Sequence, residues 1–247
     1  MRIGLFDSGI GGLTVLKKLL EKYPQNDYIY YGDTLNVPYG NKSKKELLKL
    51  AQKDIAFLLT KNVDLIIIAC GTVSTNCLEE LRKIYQIPLI SIVEPTVDYL
   101  NTTNYKNIGV IATSATIDSH IFKNNLKIPV YEIKAPELVP IIENNNHDKL
   151  GNTLETYLKK YQHQLDALVL GCTHYPIIKE EIKDILNDNT KIIDMADYIE
   201  IPNDGNGTLN IYFSKIDACI IDNTKRIITY SEKEVEKVIK VIDKVEN

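Results

Sequence analysis

Two cysteines stand at matching places in the sequence, each at the end of an apolar run with the length of a β-strand. The stretch LIIIACGTVSTN (65–76) leads from apolar residues into Cys70, and LDALVLGCTHYP (165–176) leads in the same way into Cys172. Ligands of parallel α/β sheets bind at the carboxyl ends of the strands, so these two thiols could flank one ligand. Such a pair suits a reaction in which one thiol removes a proton from carbon and the other delivers a proton to the opposite face.

Each of these thiols has a neighbour that could assist it. A thiol is a weak base at its ordinary pKa of about 8.5, so an acid–base thiol needs such help. Cys172 precedes a predicted helix and lies two residues from His174, while Asp7 ends a strand expected beside that of Cys70. Backbone N–H groups in the turns CGT and CTH would attract a carboxylate. The two turns therefore predict a site for proton transfer on a ligand that carries a carboxylate.

The other two cysteines, Cys77 and Cys219, lack this context and are interpreted as packing residues. The N-terminal stretch MRIGLFDSGIGG has no secretory signal pattern, so all four thiols are expected to be free in a reducing cytoplasm. The segment YYGDTLNVPYG (30–40) is rich in hydroxyl-bearing and small residues. It is compatible with an ordinary strand and turn or with a ligand-binding loop.

The composition is that of an ordinary globular protein. The chain has 247 residues, of which 44% are hydrophobic and 25% charged, and its net charge is −4. The sequence has no basic patch of the kind that would predict a nucleic-acid surface. No apolar run approaches the roughly 18–20 residues of a membrane helix. We expect a soluble, cytoplasmic protein with neither nucleic acid nor membrane as a partner.

Short apolar runs alternate with amphipathic stretches, and this alternation predicts an α/β fold with mostly parallel sheets. Strands are predicted over 2–6, 27–32, 64–70, 88–93, 107–113, 129–134, 166–172 and 191–194. Helices are predicted over 13–23, 42–61, 71–85, 114–126, 137–143 and 150–161, from 176 onward, and over 231–245. Residues 202–208, PNDGNGT, are predicted to form a loop.

The second part of the chain repeats the pattern of the first at a nearly constant offset. Corresponding strand positions are Ile3 and Ile108, Asp64 and Asp166, and Pro88 and Lys191. Constant spacing over three strands indicates an internal duplication. We therefore expect two similar α/β domains, residues 1–94 completed by 206–247 and residues 95–205, with the active site in the cleft between them.

Five motifs, taken together, resemble those of the cofactor-independent glutamate racemases of the aspartate/glutamate racemase superfamily. They are GLFDSGIGGLTV (4–15), YYGDTLNVPYG (30–40), ACGTVST (69–75), LVPIIE (138–143) and LGCTHYP (170–176). Their order and spacing match the family from residue 3 to about residue 195. The resemblance implies two α/β domains that close over free glutamate. It also implies an isomerase that needs neither metal nor pyridoxal phosphate and supplies D-glutamate for peptidoglycan.

Carried over by position, the resemblance makes Cys70 the base for D-glutamate and Cys172 the base for L-glutamate. Asp7 and His174 would assist the respective thiols, and Glu143 is a further catalytic candidate. The positions implied to contact the substrate are Asp7, Ser8, Tyr39, Gly40, Gly71, Thr72, Thr173 and His174. Homodimers are common in the family, which is the one basis for expecting a homodimer here.

The chain departs from the family pattern at several places. Gly71 and His120 each stand where asparagine is usual, and Met195-Ala196 replaces the usual Ser-Gly. The chain is also somewhat short, with a compact tail. Because both thiols remain, the missing amide at residue 71 bears on substrate affinity or choice more than on the type of reaction.

Other functions share part of this evidence. An aspartate racemase, or another amino-acid racemase of the superfamily, would use the same two thiols. A thiol hydrolase would use Cys172 with His174, but residues two apart often point in different directions, and Cys70 would have no role. Cys70, Cys172 and His174 could instead bind zinc, although no C-x-x-C pair supports this. A non-catalytic binding protein gives no reason to keep two reactive thiols.

Overall fold

The computed structural model describes residues 1–186, 189–229 and 239–241, which form two parallel β-sheets flanked by helices. The strands are β1 (Arg2–Asp7), β2 (Asp27–Gly32), β3 (Leu65–Ile68), β4 (Leu89–Ser91), β5 (Ile108–Ala112), β6 (Val130–Lys134), β7 (Ala167–Leu170), β8 (Lys191–Asp194), β9 (Leu209–Phe213) and β10 (Ile239–Val241).

Helices connect most of these strands. They are α1 (Gly12–Lys22), α2 (Lys44–Leu59), α3 (Gly71–Asn76), α4 (Leu78–Ile84), α5 (Val93–Leu100), α6 (Ser114–Asp118), α7 (Ile121–Asn125), α8 (Leu138–Glu143), α9 (His147–Leu158), α10 (Lys179–Leu186) and α11 (Ala218–Ile228). Short 3₁₀ helices cover Lys159–Tyr161, Tyr175–Ile178 and Met195–Tyr198. In the described residues, no helix is both long and apolar enough to cross a membrane.

The two sheets repeat one topology. The six-stranded sheet has the order β10-β9-β2-β1-β3-β4, the four-stranded sheet has the order β6-β5-β7-β8, and every strand pair is parallel. The run β2-β1-β3-β4 therefore matches β6-β5-β7-β8 strand for strand. This confirms the predicted α/β class with parallel sheets. We call the six-stranded sheet with its helices the first half, and the four-stranded sheet with its helices the second half.

Two aspartates at equivalent positions, Asp64 and Asp166, make similar hydrogen bonds in the two halves. Asp64, just before β3, accepts a hydrogen bond from the backbone N–H of Arg2 at 2.7 Å. Asp166, just before β7, accepts from the backbone N–H groups of Lys106 and Asn107 at 2.6 and 3.0 Å. Each carboxylate thus ties the start of one central strand to the start of its neighbour.

Helix α2 illustrates how local sequence and burial together set an element of the first half. The Ser43 side chain accepts the N–H of Glu46, whose carboxylate accepts the N–H of Ser43, so the helix begins with a capping box. Along the helix, Leu47, Ile55 and Leu58 recur at helical spacing and are fully buried. Each such side chain contributes about 1.5–3 kcal/mol relative to an exposed one, which holds α2 against the sheet.

The C-terminal segment differs most from the expectation. The predicted helix over 231–245 is wrong at 239–241, where the chain forms β10, and its other residues lie outside those described. The β-branched residues of IKV suit a strand, and a parallel partner, β9, is available. Strand β9 pairs with β2 and so extends the first sheet, whereas the sequence pattern after residue 208 had indicated neither β9 nor α11. The domain boundaries at 94/95 and 205/206 stay a prediction.

Two helical segments also differ from the sequence pattern. Helix α5 follows β4 without a clear signal in the sequence. The single helix predicted over 114–126 is divided into α6 and α7, because His120 has a left-handed backbone with φ of 52°. Asparagine and histidine are among the residues that tolerate this region best, which accounts for asparagine being usual and histidine being acceptable there.

Candidate active site

The carboxyl ends of the two sheets meet, and direct hydrogen bonds join the halves there. The Thr72 hydroxyl of the first half lies 2.9 Å from the Thr113 hydroxyl of the second. In the other direction, the Thr173 hydroxyl donates to Asp7 at 3.2 Å, and the Thr14 hydroxyl donates to the Thr173 carbonyl at 2.9 Å. The halves therefore enclose the strand ends that carry the predicted site residues.

Cys70 is presented by rigid backbone. Strand β3 is buried along its whole length, and Cys70 is the residue before α3, with an extended backbone. Its carbonyl accepts the Ser74 N–H at 2.9 Å, and the Ser74 hydroxyl donates to the Ile68 carbonyl at 3.0 Å. Cys70 is only 4% exposed. Its position is set by the sheet and the turn rather than by a mobile loop.

Acidic surroundings distinguish Cys70. Burial and the neighbouring Asp7 carboxyl raise the pKa of the Cys70 thiol, and the Val73 N–H and the Ser8 hydroxyl, which favour the thiolate, do not offset them. Cys70 therefore holds its proton in the resting protein. A thiol that holds its proton is suited to donate that proton first, as a general acid, and to accept one afterwards.

Asp7 ends β1, which pairs directly with β3, as the sequence predicted. One carboxylate oxygen accepts the N–H groups of Gly9 and Gly12 at 3.1 and 3.0 Å, and the other accepts the Thr173 hydroxyl. Burial raises the pKa of Asp7, although the charge of His174 and these hydrogen bonds act to lower it. Gly12 is sterically required, because a β-carbon there would stand 2.5 Å from that of Asp7.

Cys172 has a different neighbour. Its sulfur lies 3.7 Å from Nδ1 of His174, and Nε2 of the same ring lies 2.9 Å from Oε1 of Glu143. The expectation that residues two apart diverge is wrong here. The chain turns after Cys172, whose carbonyl accepts the Tyr175 N–H at 3.1 Å, and that turn brings the His174 ring back toward the sulfur.

His174 is held as an imidazolium. Burial acts to lower the pKa of its ring, but the hydrogen bonds with Cys172 and Glu143 outweigh burial and raise that pKa well above its ordinary value. A charged ring with both nitrogens protonated donates to the sulfur on one side and to the carboxylate on the other. Glu143, at the end of α8, is thereby brought to the site from a distant part of the sequence.

Tyr39 contributes differently from the other predicted residues. Its hydroxyl donates to Asp33 at 2.7 Å and lies 3.2 Å from Asp54, so its side chain points into the core of the first half. Its backbone, together with Gly40, is the part near the cleft. The Gly40 carbonyl accepts the Ala115 N–H at 3.1 Å, which places this loop against the second half.

The Tyr39 hydroxyl joins two buried carboxyl groups. A phenol has one proton to donate, and Tyr39 uses it on Asp33, so the contact with Asp54 needs a proton from Asp54 itself. Asp54 is 1% exposed, and burial together with the charge of Asp33 raises its pKa well above the ordinary value. A protonated Asp54 therefore anchors the Tyr39 ring beneath the cleft. The sequence pattern had not indicated Asp33 or Asp54.

Thr113 and Thr116 are further cleft residues that the sequence pattern had not indicated. Their hydroxyls lie 3.1 Å apart, and that of Thr72 lies 2.9 and 3.4 Å from them, so the three form a triangle across the halves. Thr113 directly follows β5, the counterpart of the strand that ends in Asp7. The signal that marks Asp7, a polar residue at the carboxyl end of a buried strand, is therefore also present at Thr113.

The remaining two cysteines differ in burial. Cys77 is fully buried in the first-half core, which confirms its interpretation as a packing residue. The same interpretation is wrong for Cys219, which is exposed on α11 and whose thiol donates to the Glu143 carbonyl at 3.3 Å. All four thiols are free. Among the described residues, no cluster of three or more His, Cys, Asp or Glu side chains is arranged to hold a metal ion.

Known proteins are similar to this chain in sequence and in fold. The model of the family described as Asp/Glu/Hydantoin racemase matches residues 30–199. The glutamate racemase of Hydrogenobaculum sp. (strain Y04AAS1) is 39% identical over 244 residues, covering 93% of this chain and 92% of its own length.

Two solved structures are similar to this chain over nearly its whole length. The glutamate racemase of Aquifex pyrophilus is 34% identical with a TM-score of 0.83, and all of both chains is covered. That of Francisella tularensis subsp. tularensis SCHU S4, solved in complex with D-glutamate, is 31% identical with a TM-score of 0.83 over 98% of this chain and 97% of its own. The resemblance inferred from the five motifs is confirmed. The chain belongs to the Asp/Glu/hydantoin racemase family.

Proposed function

We propose that this racemase interconverts L-glutamate and D-glutamate by acid–base catalysis with two thiols. The observation that carries the proposal is the placement of Cys70 and Cys172 at the carboxyl ends of equivalent strands in facing halves. Each thiol is nearly buried and each has its own acid–base neighbour. The choice of glutamate rests on the relatives, one of which was solved with D-glutamate bound.

In the L-to-D direction, the Cys172 thiolate takes the α-proton of L-glutamate, and the thiol of Cys70 gives its proton to the opposite face of the resulting carbanion. The catalytic cycle ends with Cys172 protonated and Cys70 as the thiolate, and this is the starting state for the D-to-L direction. His174, held by Glu143, donates to the Cys172 sulfur. Asp7 lies beside Cys70 and keeps that thiol protonated until the carbanion needs a proton.

The polar groups around the thiols suit a small dicarboxylate with an amino group. Ser8, Thr72 and Thr173 supply hydroxyls from both halves, and the turns at Tyr39-Gly40 and Gly71 supply backbone. Asp7 offers a buried carboxylate close to Cys70 for the substrate's amino group. We include the Thr113 and Thr116 hydroxyls in this binding set, because they contact Thr72.

The cellular context belongs to the same proposal. Supply of D-glutamate for peptidoglycan, a cytoplasmic location and a homodimer are supported by the family resemblance and by the thiol content of the chain. None of the three bears on the chemistry at the two strand ends.

Exchange of the α-proton tests the reaction directly. The purified protein is incubated in deuterium oxide with each enantiomer of glutamate and, separately, of aspartate, without added cofactor. We expect deuterium at the α-carbon of both glutamate enantiomers, formation of the opposite enantiomer, and little reaction of aspartate. Absence of exchange from either glutamate enantiomer, with folded protein, would contradict the proposal. A preference for aspartate would replace the substrate but keep the two-thiol chemistry.

Single substitutions distinguish the two-thiol reaction from a hydrolase that uses Cys172 alone. Cys70→Ser and Cys172→Ser should each lower racemisation about 1,000-fold in both directions, within the range for removal of a general acid or base. Cys219→Ser is the matched control: this exposed thiol lies outside the cleft, and serine keeps its hydrogen bond to the Glu143 carbonyl. Racemisation that survives Cys70→Ser would rule out the two-thiol mechanism.

A further inference from the structure

Gly71 and Gly171 are next to the two thiols in sequence and against each other in space. Gly71 follows Cys70 and begins α3, whereas Gly171 lies between β7 and Cys172. A β-carbon on Gly71 would stand 2.7 Å from the carbonyl oxygen of Gly171, closer than real β-carbons approach any atom. The obstacle is backbone at a buried strand end, so no side-chain rotation relieves it.

Met195 lies on another side of the same position. Its terminal carbon is 3.6 Å from where a β-carbon of residue 71 would be, an ordinary van der Waals contact. Met195 follows β8 and is 2% exposed, and its carbonyl accepts the Thr96 hydroxyl at 3.5 Å. Two positions at which the chain departs from the usual family residues therefore meet in space. The first half contributes a glycine, and the second half contributes a long thioether side chain.

We propose that Gly71 is a positioning residue that sets the separation of the Cys70 and Cys172 thiols. Its missing side chain lets the backbone of the first half touch the backbone of the second half, at a point one residue from each thiol. A larger backbone separation at this point would displace both sulfurs, since each is held by a buried strand end. This inference rests on the proposed two-thiol reaction and adds to it the residue that spaces the two acid–base groups.

Gly71→Ala tests the spacing with the smallest possible side chain. Misplacement of reacting groups by about 1 Å can cost about 100-fold in rate. We expect kcat to fall at least about tenfold in both directions, because Gly171 must retreat to admit the methyl group. KM should change less than about threefold, since the other substrate-facing side chains of each half are unaltered. A purely local disturbance of substrate binding would instead raise KM and leave kcat near that of the wild type.

Gly151→Ala is the matched control. Gly151 lies in α9, and a β-carbon there would meet nothing within 4 Å. Because alanine is the better helix former, this variant should keep the wild-type kcat and unfold at the same or a higher temperature. Gly71→Ala should unfold several degrees below the wild type but stay folded, because crowding against buried backbone costs about 1–3 kcal/mol. A collapse of its unfolding temperature would overturn the proposal, because the glycine contact would then serve folding.

A double variant distinguishes the effect of the Gly171 backbone contact from the effect of crowding by Met195. Gly71→Ala should remain impaired when combined with Met195→Ala, since the obstacle is the Gly171 carbonyl. Recovery of kcat to that of Met195→Ala alone would overturn the assignment to the glycine contact. So would a kcat of Gly71→Ala within twofold of the wild type. In both cases the wild-type protein still racemises glutamate, so failure of the spacing proposal is distinct from failure of the proposed function.

Discussion

Cys70 and Cys172 occupy equivalent strand ends, yet the two halves surround them with opposite charges. Cys70 lies beside the Asp7 carboxyl, which together with burial raises the pKa of its thiol. Cys172 lies beside the His174 imidazolium, which Glu143 holds in place from behind. A repeated scaffold has thus been given two different electrostatic settings.

The difference teaches how a symmetric fold supports a directional proton transfer. A reaction that removes a proton from one face of a carbon and delivers another proton to the opposite face needs one group that starts with a proton and one that starts without it. In the proposed reaction, the carboxyl beside Cys70 favours the partner that starts with a proton, whereas the imidazolium faces the sulfur of Cys172, the proposed base for L-glutamate. This asymmetry matches what the proposed L-to-D direction requires of Cys70 at its start.

The overall equilibrium constrains what this asymmetry can change. L- and D-glutamate have equal free energies, so kcat/KM must be the same in both directions for the wild type and for every variant. The asymmetry of the site appears instead in how each direction divides between kcat and KM, and in the pH at which each direction loses activity. Variants on the two sides should therefore be compared by their pH profiles.

The largest effect among the assisting groups is expected at Asp7. Asp7→Asn keeps the shape and lets the amide oxygen accept the Gly9 and Gly12 N–H groups, but it removes the charge next to Cys70. The Cys70 thiolate becomes a weaker base, and kcat in the D-to-L direction should fall about 100-fold, at the lower end for general acid–base groups. The pH above which L-to-D activity declines should also move down, because Cys70 then loses its proton earlier. An unchanged pH profile would contradict this role of Asp7.

Glu143→Gln is the corresponding change on the other side and should be milder. Loss of the carboxylate lowers the pKa of His174, which the hydrogen bond and charge of Glu143 help to raise. A group with a raised folded-state pKa stays protonated to higher pH, so lowering that pKa moves the alkaline limit of activity to lower pH. We expect kcat to fall about tenfold, as for other outer hydrogen-bond partners. Profiles of kcat against pH for both enantiomers check the shift.

Asp54→Asn should affect stability more than rate. The pKa of Asp54 is raised in the folded protein, so its contribution to stability is full below the unfolded value near 3.8 and is lost as pH rises. Asparagine keeps a donor for Tyr39 but does not titrate. The unfolding temperature of Asp54→Asn should therefore rise relative to the wild type as pH increases from 5 to about 9.

The groups around Asp54 must be counted in that experiment. Asp33, Tyr31 and Asp7 act on its ionisation from neighbouring elements, and Lys53 acts from its own helix. The difference between variant and wild type isolates Asp54, because these groups are common to both. Asp98→Asn, at an exposed position on α5, is the matched control and should show a constant difference over the same pH range. A constant difference for Asp54→Asn would mean that Asp54 is ionised.

The smallest effect is expected at His120, away from both thiols. Its backbone is left-handed and its ring contacts Glu132 at 2.9 Å on the surface. His120→Asn should change the free energy of unfolding by less than about 0.5 kcal/mol. His120→Ala should destabilise by about 1 kcal/mol, because alanine is disfavoured in this backbone region. Urea unfolding measures both, and racemisation should be unaltered. Equal stability of the two variants would contradict the backbone explanation.

Sequence patterns were sufficient for the elements built from local or strictly periodic signals. The buried strands that lead to Asp7, Cys70 and Cys172 follow from continuous apolar runs, and their parallel arrangement follows from the intervening helices. Helix α2 follows from its apolar spacing, and the structure adds the capping box at Ser43. The C-terminal strands did not follow, because a short β-branched run becomes a strand only when a partner strand lies beside it.

The sequence by itself predicted the family of this protein and the candidate groups for its chemistry, which are two thiols at equivalent strand ends with Asp7 and His174 as their neighbours. Tertiary structure alone decided how those groups act. The pKa of Cys70, the charge of His174 and the proton on Asp54 depend on burial and on partners distant in the chain. The meaning of Gly71 was decided in the same way, since a missing side chain matters only when another backbone, here that of Gly171, occupies its place.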